Sequence, residues 1–324
     1  MDGESGSPQQ EMIPSLARLS LNIPPPSTGV LGNYDDRDPK ELPNKEEERI
    51  RLIAMLASGE LELRHAPEEL QNDRDAVLAA VAKNGHALFF ASEELQNDRD
   101  VVLTTVAQDG TMLSSTHPKF RNDREVVLAA VAEDGKALSS ASDRLQDDRG
   151  VVLVAVAKDG MALFYASTRL RNDREVVLAA VEHEGMALFY ASGAIRGDRD
   201  VVLIAVAKDG FALIYASDML KNDREVVLAA VTQNGEALKY ALMKFRNDRE
   251  VVLTAVAQNG MALNDVWDTL ENDPEVMLAA VAAEESPMFY LIPTLHEPLS
   301  DHILAALASA STALTAFENG TGTK

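Results

Sequence analysis

The chain has 324 residues, 46% of them hydrophobic and 25% charged, with 52 Asp and Glu against 30 Lys and Arg for a net charge of −22. Negative charge in that excess repels phosphate backbones and anionic lipid headgroups unless basic residues cluster, and no basic cluster is present, so neither nucleic acid nor a membrane is an expected partner. No cysteine occurs, which excludes disulfides and thiolate chemistry.

The first thirty residues lack a charged start followed by an apolar run, and nowhere do eighteen apolar residues stand together. Neither a standard signal nor membrane insertion is therefore expected, and the chain reads as intracellular and cytoplasmic. Residues 1–43, with Pro24-Pro25-Pro26 and several Gly and Ser, read as a disordered proline-rich tail. Within it Ile13, Leu16, Leu19, Leu21 and Ile23 are enough apolar side chains to dock onto a partner; the plainer reading is a solvated tail. At 44 the pattern changes. "NKEEERIRLIAML" pairs Asn44 with Glu47 as a capping box, and Arg49, Leu52, Ile53 and Leu56 fall in phase with Arg74, Val77, Leu78 and Val81, so an array begins here with a capping repeat.

From there one 25-residue period repeats nine times, with Asp at 73, 98, 123, 148, 173, 198, 223, 248 and 273. Arg follows that Asp in eight copies, Pro274 being the exception, and eight glycines from Gly85 to Gly260 share one phase. Strict spacing of this kind means a solenoid. In the unit around 172, Asn172 suits the N-cap and Glu175 completes a capping box, which predicts an α-helix over about 172–184, with Gly185 as a left-handed C-cap. "MALFYASTRL" at 161–170 places Ala162, Leu163, Ala166 and Leu170 on one stripe, which predicts a second, shorter helix. Two short helices cannot bury their apolar faces alone, so each unit stacks on the next. The residue after the common Leu alternates between small and β-branched, as in Ala79, Thr104, Ala129 and Val154, and marks a fifty-residue pair as the duplicated unit.

The expected fold is thus all-α: a right-handed α-solenoid over 44–295 of about nine two-helix repeats, paired as 50-residue units. "SDHILAALASASTAL" from Ser300 supplies a C-terminal capping helix within 296–318, and 319–324 is a flexible tail. Pro274, Pro287, Pro293 and Pro298 mark the decay of the pattern.

The unit from Leu170 to Ser192, with its Asn-Asp-Arg-Glu tetrad, Val-Leu core, glycine and Ala-Leu-x-Tyr-Ala-Ser, resembles the tandem helical repeat family called domain of unknown function 4116 over roughly residues 47–295. That resemblance implies a fifty-residue helical unit and no activity, substrate or catalytic residue. A weaker similarity, to leucine-rich repeat variant solenoids, implies alternating α and 3₁₀ helices.

Three groups of side chains are candidates for function. The Asp-Arg pairs (Asp123 with Arg124, Asp173 with Arg174, Asp223 with Arg224) recur too often for a catalytic centre and read as a structural ladder, each Arg reaching a carboxylate or helix-end carbonyl of an adjoining repeat. Ten of sixteen aromatics fall at two adjacent phases of the second helix, about 115 to 145 degrees from its apolar stripe on a 100-degree step. They either pack between repeats or line a binding surface, and the run Phe164, Tyr165, Phe189, Tyr190, Tyr215 and Tyr240 is the candidate partner site. The six histidines show no metal-ligand spacing, Met161, Met186 and Met261 read as gap fillers, and no phosphate loop or nucleophile elbow is present, so no metal or cofactor is expected.

The reading these residues support is a non-enzymatic protein-interaction scaffold whose partner has a basic face. The alternatives are a structural subunit of a large assembly, or an enzyme or regulator with one site grafted near 267–284.

Overall fold

A computed structural model describes residues 45–271 and 273–283. The tail at 1–43, the cap residue Asn44, the C-terminal capping helix at 296–318, the end segment 319–324 and the aromatics Phe289 and Tyr290 lie outside the described residues. Within them the chain is helical with no strand, and nine 10-residue α-helices start 25 residues apart, from Arg74–Lys83 to Pro274–Ala283, preceded by Lys45–Ser58. It is an all-α solenoid in which consecutive units pack on one another.

Each α-helix buries Val, Val, Ala and Val at fixed positions: Val176, Val177, Ala180 and Val181 of Arg174–His183 are all fully buried, as are their equivalents in the neighbouring repeats. These side chains form one continuous apolar row from Val102 to Ala280. The helix starts at Arg174, two residues later than the tetrad suggests, because Asp173 rather than Asn172 is the N-cap. Asp173 is extended (φ −84°, ψ 117°) and its Oδ1 accepts from the amides of Glu175 and Val176 at 3.0 and 3.2 Å. Asp and Asn cap equally well in isolation. The carboxylate is preferred here because it also meets the positive helix end and keeps a second oxygen for an arginine. Asn172 instead accepts from Ser192 Oγ of the next repeat at 2.5 Å.

The second helix is not one α-helix. Gly160–Tyr165 is a six-residue 3₁₀ turn, Ala166 is extended (φ −69°, ψ 151°), and a separate turn follows at Leu170–Asn172. An α-helix would tie the Ser167 amide to its own repeat, whereas it donates to the Gln146 carbonyl of the preceding repeat at 3.0 Å. The Gln146 side-chain Nε2 in turn donates to Leu138 O and Ala141 O, both at 3.2 Å, and so satisfies carbonyls at the end of the previous 3₁₀ turn. The chain therefore adopts the α and 3₁₀ alternation that the weaker resemblance implies. Burial of Ala162, Leu163, Ala166 and Leu170 is unchanged by the different path.

The final short turn follows a single residue. It is α-helical where it opens on Asp or Glu, at Glu68–Gln71, Glu93–Gln96, Asp143–Gln146, Asp218–Lys221 and Asp268–Glu271. It is 3₁₀ or an open turn where that position holds Pro118, Thr168, Gly193 or Met243. A carboxylate in the first turn favours the longer-range hydrogen bonds of the α form through the helix dipole.

The repeat glycines owe their place to close approach, not to left-handed backbone. Among the described residues only Gly59 has a positive φ, of 84°, and the C-cap before Gly185 is Glu184 in extended geometry. A Cβ at Gly110, Gly135, Gly160, Gly185, Gly210 or Gly235 would lie under 3.0 Å from an alanine carbonyl oxygen of the next α-helix, Ala205 O in the case of Gly185. We expect Gly185→Ala to destabilise the chain by about 1–3 kcal/mol, since a backbone atom must give way. By contrast Gly193→Ala, with nothing within 4 Å of the added carbon, is expected to be neutral or stabilising by up to about 1 kcal/mol. Urea unfolding of the two variants checks this; equal losses would show that close approach is not what the glycine provides.

Candidate interaction surface

Two rows of side chains run along the array. The first joins helix N-termini. Arg99 Nε lies 2.8 Å from Asp123, the cap of the next helix, and its Nη2 lies 2.7 Å from Glu125. Arg174 bridges Asp198 and Asp200 at 2.8 and 2.9 Å, and Arg49 bridges Asp73 and Asp75 at 2.6 and 2.9 Å. Arg149 reaches Asp173 at 3.1 Å and also Glu175, Arg199 reaches Asp223 at 2.8 Å and also Glu225, and Arg224 reaches Asp248 at 3.3 Å and also Glu250. Glu175 therefore serves the preceding repeat's arginine instead of folding back as a capping box. Arg124 meets Asp148 alone, at 2.9 Å, because Gly150 stands where the second carboxylate would be.

Every one of these arginines lies open to solvent along much of its length, Arg99 being 44% exposed, so each pair is of the kind that contributes little singly. Their effect is on protonation. The Arg99 guanidinium, with the backbone amides of Val126 and Glu125, holds the Asp123 carboxyl below its ordinary value against the opposing pull of burial. Arg199 does the same for Asp223. At Asp173 burial is the largest influence and pushes up, but the Val176 amide and Arg149 outweigh it and the carboxyl is again lowered.

The second row lies on the 3₁₀ turns. Because residues three apart eclipse in a 3₁₀ helix, Gly160 and Leu163 share one buried edge, the buried Ala162 and the half-buried Tyr165 a second, and the part-exposed Met161 and the exposed Phe164 the outward one. That differs from the 100-degree placement expected of an α-helix, and it separates the two aromatic phases. Phe164 and Phe189 are 53% and 51% exposed, while Tyr165, Tyr190, Tyr215 and Tyr240 pack their ring faces against the core. The rings form a zigzag: Phe164 meets Tyr165 edge-on at 5.0 Å and Tyr190 at 5.1 Å, and Phe189 meets Tyr190 at 4.9 Å and Tyr215 at 4.8 Å. Such offset pairs are stabilising geometry for aromatic rings.

The run changes character after Tyr215. Ile214 takes the outward phenylalanine position, and Tyr240 is met at 6.0 Å by Phe211 from the repeat before, with Lys239 Nζ 4.9 Å over the Phe211 ring. Phe211, Ile214 and Lys239 complete the surface and were not singled out by the sequence pattern. Of the methionines at Phe211's phase, Met161 and Met186 are part-buried, whereas Met261 is 49% exposed and fills no gap in the core. Phe89 and Phe90 are exposed too, beside a cavity of about 550 Å³ lined by Leu56, Leu63, Arg64 and Lys83, but Ser114, Ser115, Ser139 and Ser140 separate them from the main run. In the last described repeat Asp265 replaces the tyrosine, and burial pushes its carboxyl up despite Arg246 and Lys239.

Among the histidines, His183 ends its helix and its Nδ1 accepts from the Gly160 amide at 3.2 Å. No three His, Asp or Glu side chains group as a metal site among the described residues, and no helix there is long and apolar enough to cross a membrane.

Two outcomes are expected of the carboxylate row. Asp123→Asn keeps the cap and loses the charge pair, so it should cost about 0.2–1 kcal/mol at neutral pH, whereas Asp123→Ala loses both and should cost more, about 0.5–2 kcal/mol for the cap alone. Since the folded-state carboxyl is lowered, the pair stabilises fully above the unfolded carboxylate pKa of about 3.9 and loses its effect as pH falls through the folded value. Urea midpoints of the parent and Asp123→Asn should therefore converge below about pH 3.9; a gap undiminished in acid would contradict the pairing.

No curated protein and no solved structure matches the chain. The family model described as Domain of unknown function (DUF4116) matches it in five consecutive stretches, residues 53–96, 98–146, 148–196, 198–246 and 248–291. Each stretch spans two of the 25-residue units, the pairing that the alternation at Ala79 and Thr104 marks. With the repeat, its glycine contact and its capping aspartate accounted for, the chain belongs to the DUF4116 family.

Proposed function

We propose that the chain is a non-enzymatic protein-interaction scaffold, in which stacked repeats present Phe164, Tyr165, Phe189, Tyr190, Tyr215 and Tyr240 to a partner protein. The observation that carries the reading is the unbroken contact of exposed phenylalanine and half-buried tyrosine rings across three repeats, where the same positions hold serine in two earlier ones. Packing between repeats does not call for large rings there, since Ser114 and Ser139 occupy the outward position in repeats that fold alike. Contiguous exposed aromatics are costly to leave in water and are characteristic of the anchors of protein interfaces. The net charge of −22 favours a partner with a basic face, and an affinity that falls as salt rises.

The test compares the full chain with Phe164→Ser/Phe189→Ser in capture from a native extract. The serines reproduce the side chains of neighbouring repeats, so the variant should fold alike, with a loss of about 0.5–1.5 kcal/mol for each ring pair removed. A partner held by the parent and lost by the variant is the expected result. Identical capture by both chains would remove the aromatic surface as the site.

A further inference from the structure

We infer that the aromatic surface takes a proline-rich segment in the polyproline II conformation, with basic residues flanking it. This rests on the interaction-surface reading above and adds the shape and chemistry of the occupant.

Phe164 and Phe189 are linked through Tyr190 by steps of 5.1 and 4.9 Å, so their centroids lie no more than about 10 Å apart, and the steps of 4.9 and 4.8 Å through Phe189 place the same limit on Tyr190 and Tyr215. Packed helical elements lie about 8–10 Å apart, which bounds the repeat from below. A polyproline II helix advances 3.1 Å per residue with three residues per turn, and so presents a side chain to one face every ~9.3 Å. That fits the window. An extended strand presents one every ~6.7 Å, well short of the window, and a straight α-helix returns to the same face after seven residues at ~10.5 Å, just beyond it.

The hydroxyls of Tyr165, Tyr190, Tyr215 and Tyr240 have no hydrogen-bond partner among the described residues, although their rings are held against the core. They form a row of fixed donors at the edge of an apolar surface. Polyproline II is the regular conformation whose carbonyls all remain unpaired and point outward, and aromatic-lined grooves with such donors are one of the recurring modes of peptide recognition.

The 3₁₀ turns that carry Tyr165, Tyr190 and Tyr215 open on carboxylates, at Asp159, Glu184 and Asp209, and the exposed Asp218 follows Tyr215, whereas the turn of Tyr240 opens on Asn234. Asp159 is already met by Lys136 at 3.3 Å and Lys239 lies over the Phe211 ring at the far end, which leaves the stretch from Glu184 to Asp218 as the acidic side of the patch. Lysine or arginine beside the proline run complements it.

The experiment uses the full chain and two labelled peptides with the same arginine ends. One carries four Pro-Pro-Leu triplets; the other is an alanine-rich helix with leucine every seventh residue. Fluorescence anisotropy at low salt should show saturable binding of the proline peptide and at least tenfold weaker binding of the helix. Tyr190→Phe/Tyr215→Phe removes only hydroxyls that hold nothing in the fold, and should weaken the proline peptide about tenfold, from two lost hydrogen bonds. Preference for the helical peptide would overturn this inference and leave the interaction surface standing. Failure of both peptides to bind, or binding indifferent to the tyrosine change, would also overturn it, while the phenylalanine-to-serine capture experiment judges the surface itself.

Discussion

Between successive repeats from Gly110 to Gly235, the glycine that opens the 3₁₀ turn rests against an alanine carbonyl of the next α-helix, at a distance no Cβ could occupy. That contact brings backbone to backbone and fixes how far one repeat lies from the next. Its geometry is completed from the same side by the next helix's last residue: the amides of Gly85 and Gly210 donate to Gln108 and Gln233 at 2.8 and 2.5 Å, and that of Gly160 to His183. A buried amide in so close a contact needs a partner, and the following helix provides it.

Once the spacing is set, both rows of side chains follow. An arginine that begins one helix reaches the capping aspartate of the next because the two N-termini stand a fixed distance apart, and the same aspartate closes its own helix. One carboxylate thus serves local capping and inter-repeat pairing together, which explains a tetrad repeated at every turn of the array. Along the 3₁₀ turns, the same pitch carries Phe164 into contact with Tyr190 and Phe189 into contact with Tyr215. A looser contact at the glycines would part the rings before it unfolded a helix, so the order of the surface depends on a residue that has no side chain.

Much of this was legible in the sequence. The period, the α-helix with its Val-Val-Leu core, the fifty-residue pairing and the family all lie in recurring letters, since a solenoid writes its core once per unit. What the letters left open were choices between forms of similar local preference. Asn172 and Asp173 are both good caps, and only the arginine arriving from the preceding repeat distinguishes them. Residues 161–165 suit α and 3₁₀ equally, and the decision rests with Ser167, whose amide is taken by a neighbouring repeat. The glycines have two common uses, and the one that applies depends on a backbone twenty residues away. Phe211 lies off the two aromatic phases, and the eclipsing that turns it outward with residue 214 belongs to 3₁₀ geometry, whereas Ile214 lies on the phenylalanine phase and escapes notice only because it is not aromatic. One signal was in plain view: the Asp or Glu that opens some of the short turns, and is absent from others, tracks their helical form.

The central claim is that each repeat is held by its neighbours at a fixed pitch, and excision tests it most directly. Residues 124–173 span fifty positions, and removing them joins Asp123 to Arg174 and restores the sequence Arg-Asn-Asp-Arg-Glu-Val-Val-Leu-Ala-Ala-Val unchanged across the seam. The account requires that the shortened chain keep its helical circular dichroism per residue and unfold in one cooperative transition, while a chain lacking one residue more does not. A fifty-residue excision that abolished cooperative unfolding, or that fared no better than its out-of-phase counterpart, would contradict it.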